Sequence, residues 1–561
     1  MNTIMKTLRY VIAGAAAAVA LMGGIFLTGC TNLDEKGYTF LDPNNFYSTE
    51  TEIDATLNGV YNRFRNMYSS NSQLYIAQVE LLSDQGVPTY NKNNMELINK
   101  WSDANNASAK NGVHVIWAKG YEAVNRANIV LGRVDMVDME ETAANWIKGQ
   151  AYFLRGYTFF HILRLFGAAV LPLTYTNGIE NLEMGRSTVA QTYDQIIADL
   201  TEAEKLLPVR GTAGYDVWRV SKGAAEAALS EVYLYRASMA DINNEEASKT
   251  TYLTAARDAA KKVIDSGAYS LMPEYTDQFY WFNESGAKNN SESVFELQYS
   301  ANDKQSNDMH IRFGLGRTNA AYMGCYQYSR MGVSPYIYKE MLANGDQRAN
   351  VFLTYFEGKG NPDDADGTAY TFNPETMHWS TYDAATGTWG TNYITNDRNA
   401  EHRCVFNCKY FDQHTDGSLN KPNANFPILR YSEVLLNYAE AANLLSAGAG
   451  LTELNLVRNR AGLADFSGSQ EAIDEEIFNQ RRFEFVGEGK IFYEELRRDV
   501  LAERSAAKLA QGVADELTYF DSATPLFSPK KSYLFPIPQG DLDSNAALKD
   551  QQNPENEPKS L

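Results

Sequence analysis

The clearest pattern along the chain is the spacing of its apolar residues, which in several segments recur at positions i, i+3, i+4 and i+7. This spacing collects apolar side chains on one face of an α-helix and predicts amphipathic helices that bury that face. A mainly α fold follows from these segments. The predicted helices are Glu52–Met67, Val113–Val134, Thr142–Phe166, Val189–Leu206, Ser221–Ala240, Tyr252–Ser266, Ile428–Ser446, Leu451–Arg460 and Glu471–Val486.

Two stretches have the small residues that are typical of tetratricopeptide-like helix pairs. Residues 252–271 have four alanines between Ala255 and Ala260, and residues 435–463 form two helical patterns around a Gly-rich turn. Small side chains let paired helices approach closely, and stacked pairs bury a shared core. The pattern predicts a scaffold of helix pairs with an irregular repeat.

The helical spacing fades between residues 272 and 426, where Gly, Asn, Asp, Ser and aromatic residues predominate. Stretches such as "NPDDADGTAY" (361–370) and "YDAATGTWGTNYITNDRN" (382–399) are typical of loops and turns. Loops on a rigid scaffold commonly provide binding residues. We therefore predict a large irregular, loop-rich lobe beside the helix pairs. The predicted regions are a signal at 1–29, an N-terminal helical region at 30–270 and a C-terminal region at 271–561 with the loop-rich insertion at 272–426.

Residues 1–29 have the pattern of a secretion signal. Two basic residues precede a long apolar stretch, and the sequence "LTGC" then places small residues directly before Cys30. These four residues resemble the lipobox of bacterial lipoproteins. The resemblance implies cleavage before Cys30, acylation of its sulfur and a lipid anchor, with an uncleaved anchor and an ordinary secretion signal as the alternatives.

Length, charge and cysteine count limit the architecture, the partners and the disulfide content of the protein. A chain of 561 residues exceeds the size at which single cores stop growing, which favours two lobes or a repeat scaffold with large insertions. The formal net charge of −20 disfavours nucleic acid and other polyanions as partners. Besides Cys30 the chain has three cysteines, too few and odd in number for a disulfide framework.

Several motifs follow one another along the chain in a fixed order. They are "FPILRYSEVLLNYAEAAN" (426–443), "LNLVRNRAGL" (454–463), "QRRFEFVGEGKIFYEELRR" (480–498) and "YLFPIPQGDLDSNAALKDQQNPE" (533–555), with residues 116–131 and 151–173 in the N-terminal half. Together they resemble the SusD/RagB family of outer-membrane nutrient-binding lipoproteins. The third motif departs from the family pattern at Lys490, Tyr493 and Glu495.

This resemblance implies four tetratricopeptide-like helix pairs beside an irregular lobe, on a lipid-anchored protein of the outer membrane that faces the cell exterior. It also implies a protein that binds oligosaccharide and lies as a lid on a SusC-like TonB-dependent transporter, with no enzymatic activity and no cofactor. A peptide or protein cargo and a surface glycosidase are the alternative functions.

The charged residues of these motifs are interpreted as scaffold ion pairs between helical neighbours, because residues three or four apart on a helix can pair. A glycosidase needs two carboxylates that face each other across a cleft, and no motif marks such a pair. No catalytic residue is predicted, and Asp84 is interpreted as a loop cap, with a ligand contact as the alternative. The residues interpreted as scaffold pairs are Arg430, Glu433, Arg481, Arg482, Glu484 and Glu488.

Two stretches contain residue types that bind metals. His402, Cys404, Cys408 and His414 suit zinc, but a Cys404–Cys408 disulfide and separate thiols are the alternatives. The aspartates of "NPDDADG" (361–367) suit calcium, although a solvated turn explains them as well. No metal is assigned to either stretch.

Sugar binding directs attention to aromatic residues in polar loops. A pyranose presents an apolar C–H face, which stacks on an aromatic ring, and a rim of hydroxyl groups, which bonds to polar side chains. The candidate ligand-binding residues are Trp101 with Asn99 and Asp103, Tyr322, Tyr326 and Tyr328 with Arg330, and Trp379 and Trp389.

Overall fold

The computed structural model describes residues 47–68, 75–88, 112–176, 183–301, 307, 331–357, 367–393, 403–412, 422–515 and 533–553. Helices dominate these ranges. In the first half they are α1 (Glu50–Tyr68), α2 (Tyr75–Leu82), α3 (Gly112–Arg133), α4 (Glu141–Phe166), α5 (Val189–Leu206), α6 (Lys222–Ser238) and α7 (Lys249–Asp265). In the second half they are α8 (Pro335–Ala343), α9 (Tyr431–Leu445), α10 (Leu451–Arg460), α11 (Gln470–Glu484), α12 (Ile491–Arg497), α13 (Leu501–Ala514) and α14 (Gln539–Ser544).

The long helices pack in sequence against one another. Helix α1 packs on α3, α3 on α4, α4 on α5, α5 on α6, α6 on α7 and α7 on α9, and α9 also contacts α10 and α11. The apolar faces of the first-half helices form one large core that runs from Ile53 to Leu548, and α9, α10 and α11 share a second core around Leu436, Leu454 and Ile477. The mainly α fold and the helix-pair scaffold are thus confirmed.

Local signals explain where individual helices begin and end. Helix α5 begins after Thr188, whose hydroxyl accepts from the amide of Gln191 while the Gln191 side chain accepts from the Thr188 amide. Helix α7 ends before Gly267, which has a φ of 62° in the left-handed region that glycine adopts without strain. One predicted helix begins too early, because residues 426–430 form a strand before α9.

The loop-rich lobe contains more regular structure than its composition predicts. Its strands are β1 (Gly86–Pro88), β2 (Ser293–Leu297), β3 (Met331–Val333), β4 (Phe352–Leu353), β5 (Tyr355–Glu357), β6 (Ala369–Asn373), β7 (His378–Asp383), β8 (Thr388–Tyr393), β9 (Phe406–Asn407) and β10 (Phe426–Arg430). Strands β5 to β8 form an antiparallel sheet in chain order, and β1–β3, β2–β10 and β4–β9 form two-stranded antiparallel sheets. The prediction of loops over residues 382–399 is therefore wrong up to Tyr393, because a β-hairpin covers that part.

Candidate functional site

Strands β1 and β3 form a short antiparallel ladder, which we call the stem. Gly86 pairs with Val333 and Pro88 pairs with Met331. The chain continues from Pro88 into residues 89–111 and returns to Met331 from residues 308–330. Because paired strands lie about 5 Å apart, these two stretches start from neighbouring positions at one end of the stem.

The stem is fixed inside the protein. Val87, Met331 and Val333 are almost fully buried, and Val333 also bonds to Val405 on its other side. The amide of Ser334 donates to the Gln85 carbonyl over 2.6 Å, which continues the ladder by one bond. A ladder with buried side chains on both strands resists slipping, since a one-residue shift would expose them.

The far end of the 89–111 stretch is held close to α2, the helix that precedes β1. The amide of Val113, in the first turn of α3, donates to the Oε1 of Gln78 over 2.8 Å. Gln78 lies on α2, the helix that leads into β1, and it is buried. Both ends of this stretch are therefore tied to α2.

A buried ion cluster supports the turn between α2 and β1. Arg482 and Arg504 both contact the Oδ2 of Asp84, at 2.9 Å and 3.3 Å. Burial acts to raise the pKa of Asp84, but the charges of Arg482 and Arg504 outweigh it and hold the pKa below its ordinary value. Burial and the Asp84 charge raise the pKa of Glu495, whose Oε1 accepts from the Asp84 amide, well above its ordinary range. Asp84 is thus a buried ion-pair partner, and the interpretation as a loop cap is wrong.

A second ion cluster lies where the helix pairs meet the lobe. Arg430 contacts Glu484 at 2.7 Å and Glu488 at 2.8 Å, and all three side chains are buried. The interpretation of the motif charges as scaffold pairs is confirmed. The expected partners are wrong, because Arg430 ends strand β10 and its pairs join different elements, while Glu433 pairs with Lys490. Ligand cannot reach these carboxylates without unfolding the junction.

Two cavities in the described ranges are each about 20 Å³ in volume. One is lined by Lys288, Asn290 and Glu296, and the other by Tyr157 and His161. This volume accommodates one water molecule. A sugar ring does not fit either cavity.

His161 beside the second cavity is held neutral. Arg164 donates from Nη2 to His161 Nδ1 over 3.0 Å, and arginine has no acceptor, so Nδ1 carries no proton. The Nε2 then donates to the Tyr68 hydroxyl over 2.6 Å. Burial and the Arg164 charge both hold the pKa of His161 well below its ordinary value, so it has no role as a proton donor near neutral pH.

Two of the candidate sugar-binding aromatics lie in the four-stranded sheet, with opposite exposure. Trp379 on β7 is 0% exposed, packs with a tilted ring against Phe356 and Phe372, and donates its indole N–H to the Cys404 carbonyl over 2.9 Å. The expectation that Trp379 contacts ligand is corrected, because its side chain points into the core of the lobe. Trp389 on β8 is 37% exposed, and its ring lies 4.5 Å from that of Tyr382 across the strands.

The other candidate residues lie outside the described ranges. These are Asn99, Trp101, Asp103, Tyr322, Tyr326, Tyr328, Arg330 and the lipidation candidate Cys30. The first three belong to the 89–111 stretch and the next four to the 308–330 stretch. The anchors of these two stretches, Pro88 and Met331, are paired with each other in the stem. No helix in the described ranges is both long and apolar enough to cross a bilayer.

The candidate metal stretches give no described metal cluster. Cys404 and Cys408 are buried free thiols, and burial raises the pKa of both well above the ordinary value. A disulfide between them is excluded in this structure. His402, His414 and the aspartates of residues 361–366 lie outside the described ranges, and the described residues contain no group of three metal-binding side chains.

Comparison with known families identifies the chain. The sequence model of the SusD family matches residues 236–555, and a second one, described as starch-binding and associating with the outer membrane, matches residues 32–234. The chain belongs to the SusD family. The resemblance seen in the motifs is therefore confirmed.

Relatives within the SusD family match almost the whole chain. The SusD-like protein P2 of Formosa agariphila is 23% identical over 93% of this chain and 96% of its own length. A solved laminarin-binding SusD-like protein superposes with a TM-score of 0.67 at 22% identity, covering 91% of this chain and 100% of the other. Surface glycan-binding protein A from Bacteroides thetaiotaomicron superposes with a TM-score of 0.65 at 20% identity, covering 91% and 98%. These likenesses show a shared SusD-like fold.

The sequence motifs do not include the residues that hold the stem. Gln78, Lys508 and Ser505 contact the α2–β1 turn or the start of α3, and none of them lies in a recognisable motif. One signal was available: Lys508 lies on the same face of its helix as Leu501 and Leu509. A lysine on an apolar face is a sign of a buried cation.

Proposed function

We propose that this SusD-family protein captures oligosaccharide or polysaccharide at the outer membrane and delivers it to a SusC-like TonB-dependent transporter. One observation carries the proposal: the stem places the anchors of the two aromatic-rich stretches side by side, in a chain that shares its fold with proteins named for laminarin and surface glycan binding. Two aromatic-rich stretches that start from neighbouring positions suit stacking on successive sugar rings.

The proposed contacts come from both stretches. Trp101 supplies an aromatic platform from the first, with Asn99 and Asp103 for hydroxyl groups, and Tyr326 does so from the second, with Arg330. Tyr322 and Tyr328 extend the second platform. Rings with few rotatable bonds lose little entropy on binding, which suits recognition of a flat sugar face.

Trp389 is proposed as an additional contact at the hairpin of β7 and β8. Its exposure and its neighbour Tyr382 give a paired aromatic surface that is accessible to solvent. Cross-strand aromatic pairs also stabilise hairpins, so Trp389 has a structural use apart from ligand. The Trp101 and Tyr326 platforms therefore take precedence in the test below.

The position at the membrane is proposed from the sequence. The "LTGC" motif places acyl chains on Cys30, about 0.8 kcal/mol of membrane affinity for each buried CH₂. The net charge of −20 keeps the body of the protein away from anionic surfaces, so the lipid and not the charge would hold it. We propose that the protein faces the cell exterior.

Binding alone is proposed, without catalysis and without a cofactor. The motif carboxylates Glu484 and Glu488 are buried and paired with arginine, which leaves them unable to protonate a glycosidic oxygen.

The test uses the soluble chain from Thr31 onward against plant, fungal, starch-type and mucin glycans, by affinity electrophoresis and calorimetry. Trp101→Ala and Tyr326→Ala should each weaken binding about tenfold or more, with an unchanged melting temperature, because each removes one stacking platform. Phe282→Ala is the matched control, since Phe282 is an exposed aromatic outside the proposed site.

Three results would contradict parts of the proposal. Unchanged glycan affinity in a folded variant that carries both Trp101→Ala and Tyr326→Ala would refute the site. Release of reducing sugar would indicate a glycosidase. Binding of peptides and of no glycan would show that the cargo is a peptide. A pull-down with the transporter would then test the proposed role beside it.

A further inference from the structure

Lys508 of helix α13 holds the turn that leads into the stem. Its Nζ donates to the carbonyl oxygens of Leu81, Ser83 and Gly86 at 2.9, 2.6 and 3.1 Å. The side chain is 5% exposed. One ammonium group thus joins the last turn of α2, the turn after it and the first residue of β1.

The chemistry of the ammonium fits this task. A protonated lysine has three N–H donors and no acceptor, and three backbone carbonyls face it here. Burial lowers the pKa of Lys508 to about 8, so the group keeps all three donors at pH 7. Last-turn carbonyls have no partner within their helix, and a cation is favoured at that end.

The acidic groups that act on this ammonium are Glu495, Asp84 and Glu80. Asp84 is paired with Arg482 and Arg504. Glu80 accepts from the Gly489 amide over 2.6 Å, and Glu495 accepts from the Asp84 amide. The three contacts of Nζ described above are with backbone carbonyls.

Ser505, one turn earlier on α13, contacts the same turn. Its Oγ donates to the Leu82 carbonyl over 2.8 Å, and the residue is 2% exposed. Four consecutive or near-consecutive carbonyls between Leu81 and Gly86 are thus held by two side chains of one helix. These contacts span more than 420 residues of sequence, so they fix one part of the fold relative to another.

We propose that Lys508 and Ser505 are positioning residues for the stem: they set where α2 ends and β1 begins, and hence the direction in which the chain leaves Pro88. The consequence for glycan affinity rests on the proposed function. The consequence for the stem itself does not depend on it.

The test compares Lys508→Met with Arg155→Met in the soluble chain. Arg155 is a similarly buried cation that pairs with Asp199 between α4 and α5, away from the stem. Both variants should melt at lower temperature. Only Lys508→Met should speed hydrogen exchange in peptides covering residues 80–88 and 331–336, by about tenfold, as loss of charged hydrogen bonds predicts.

Glycan affinity is the second readout. Where the wild-type chain binds a glycan, Lys508→Met should weaken that binding about tenfold while Arg155→Met leaves it unchanged at a temperature where both are folded. If the wild-type chain binds no glycan, the proposed function fails and hydrogen exchange alone decides the positioning role.

The inference is overturned if exchange in the stem peptides rises equally in both variants. If Lys508→Met does not fold, Ser505→Ala is measured on the same peptides. Faster exchange confined to the stem supports the positioning role, and unchanged exchange there overturns it.

Discussion

The charge cluster around Arg430 lies where the helix pairs meet the lobe, and its contribution to the free energy of unfolding can be tested quantitatively. Four cations and four carboxylates alternate in it, each with a side chain no more than 4% exposed. Its members are Arg348, Lys409, Arg430, Arg460, Glu292, Asp346, Glu484 and Glu488. The described part of the cluster is therefore electrically balanced.

Glu484 is the residue whose loss disturbs this balance most. It contacts Arg430 at 2.7 Å, Arg460 at 2.5 Å and Arg348 at 3.1 Å. Glu484→Gln keeps the size and some hydrogen bonds but leaves one buried positive charge without a counter-charge. Breaking a buried pair from one side costs about 3–5 kcal/mol, so we expect the free energy of unfolding to fall by that amount at pH 7.

The pH dependence has a definite sign. Burial acts to raise the pKa of Glu484, but the charges of Arg460, Arg430 and Arg348 outweigh it and hold the pKa well below its ordinary value. A carboxylate with a lowered pKa in the folded state stabilises the fold above about pH 4.3, the ordinary value, and loses that contribution as the pH falls further. The gap between wild type and Glu484→Gln should therefore narrow below about pH 4.3.

Urea unfolding followed by fluorescence at pH 7 and at a series of acidic values measures both effects. Glu202→Gln is the control, because its pair with Lys205 is exposed to solvent and such pairs contribute at most about 1 kcal/mol. A loss below about 1 kcal/mol in Glu484→Gln, or a gap that stays constant into the acid range, would refute the reasoning.

Two further predictions follow from described contacts. Trp379→Ala should lower the free energy of unfolding by about 3–5 kcal/mol because it leaves a cavity in the lobe, and calorimetry of the variant against Trp389→Ala, at an exposed position, checks this. Arg186→Ala should release residues 533–553 to protease, because Arg186 donates to Gln551 O at 3.1 Å and to Asn553 Oδ1 at 2.9 Å; intact protection of that segment would contradict it.

The helices of the scaffold are the elements that the sequence predicted well. Val189–Leu206 and Leu451–Arg460 have the observed ends, and the other predicted helices of the first half end within a few residues of the observed ones. The stacked helix pairs bury the apolar face of each helix, so the apolar spacing in the sequence matches the buried positions in the structure. The spacing along the chain is therefore sufficient to predict the helix-pair scaffold.

Prediction failed for elements that are short or that are stabilised by residues distant in the sequence. Strand β10 overlaps the start of the helix predicted from Ile428, because its five residues are all buried and show no alternation that would indicate a strand. Helix α13 is not among the predicted helices, although it is amphipathic; its buried positions include Ser505, Lys508 and Gly512 beside Leu501 and Leu509. The hairpin around Trp389 has a polar turn and a mixed face, so composition favoured a loop.

The same contrast explains why the motifs predict the fold and leave the cargo undetermined. Arg430, Glu484 and Glu488 belong to the motifs that resemble the family, and they are buried in the junction, beyond the reach of a ligand. The candidate aromatics Trp101 and Tyr326 lie outside those motifs, on stretches whose anchors meet at the stem. In the proposed function, the residues that stabilise the junction and the residues that contact glycan are therefore different ones. That proposal predicts that substitutions within residues 89–111 and 308–330 change the cargo while the ion cluster and the Lys508 contacts stay as they are.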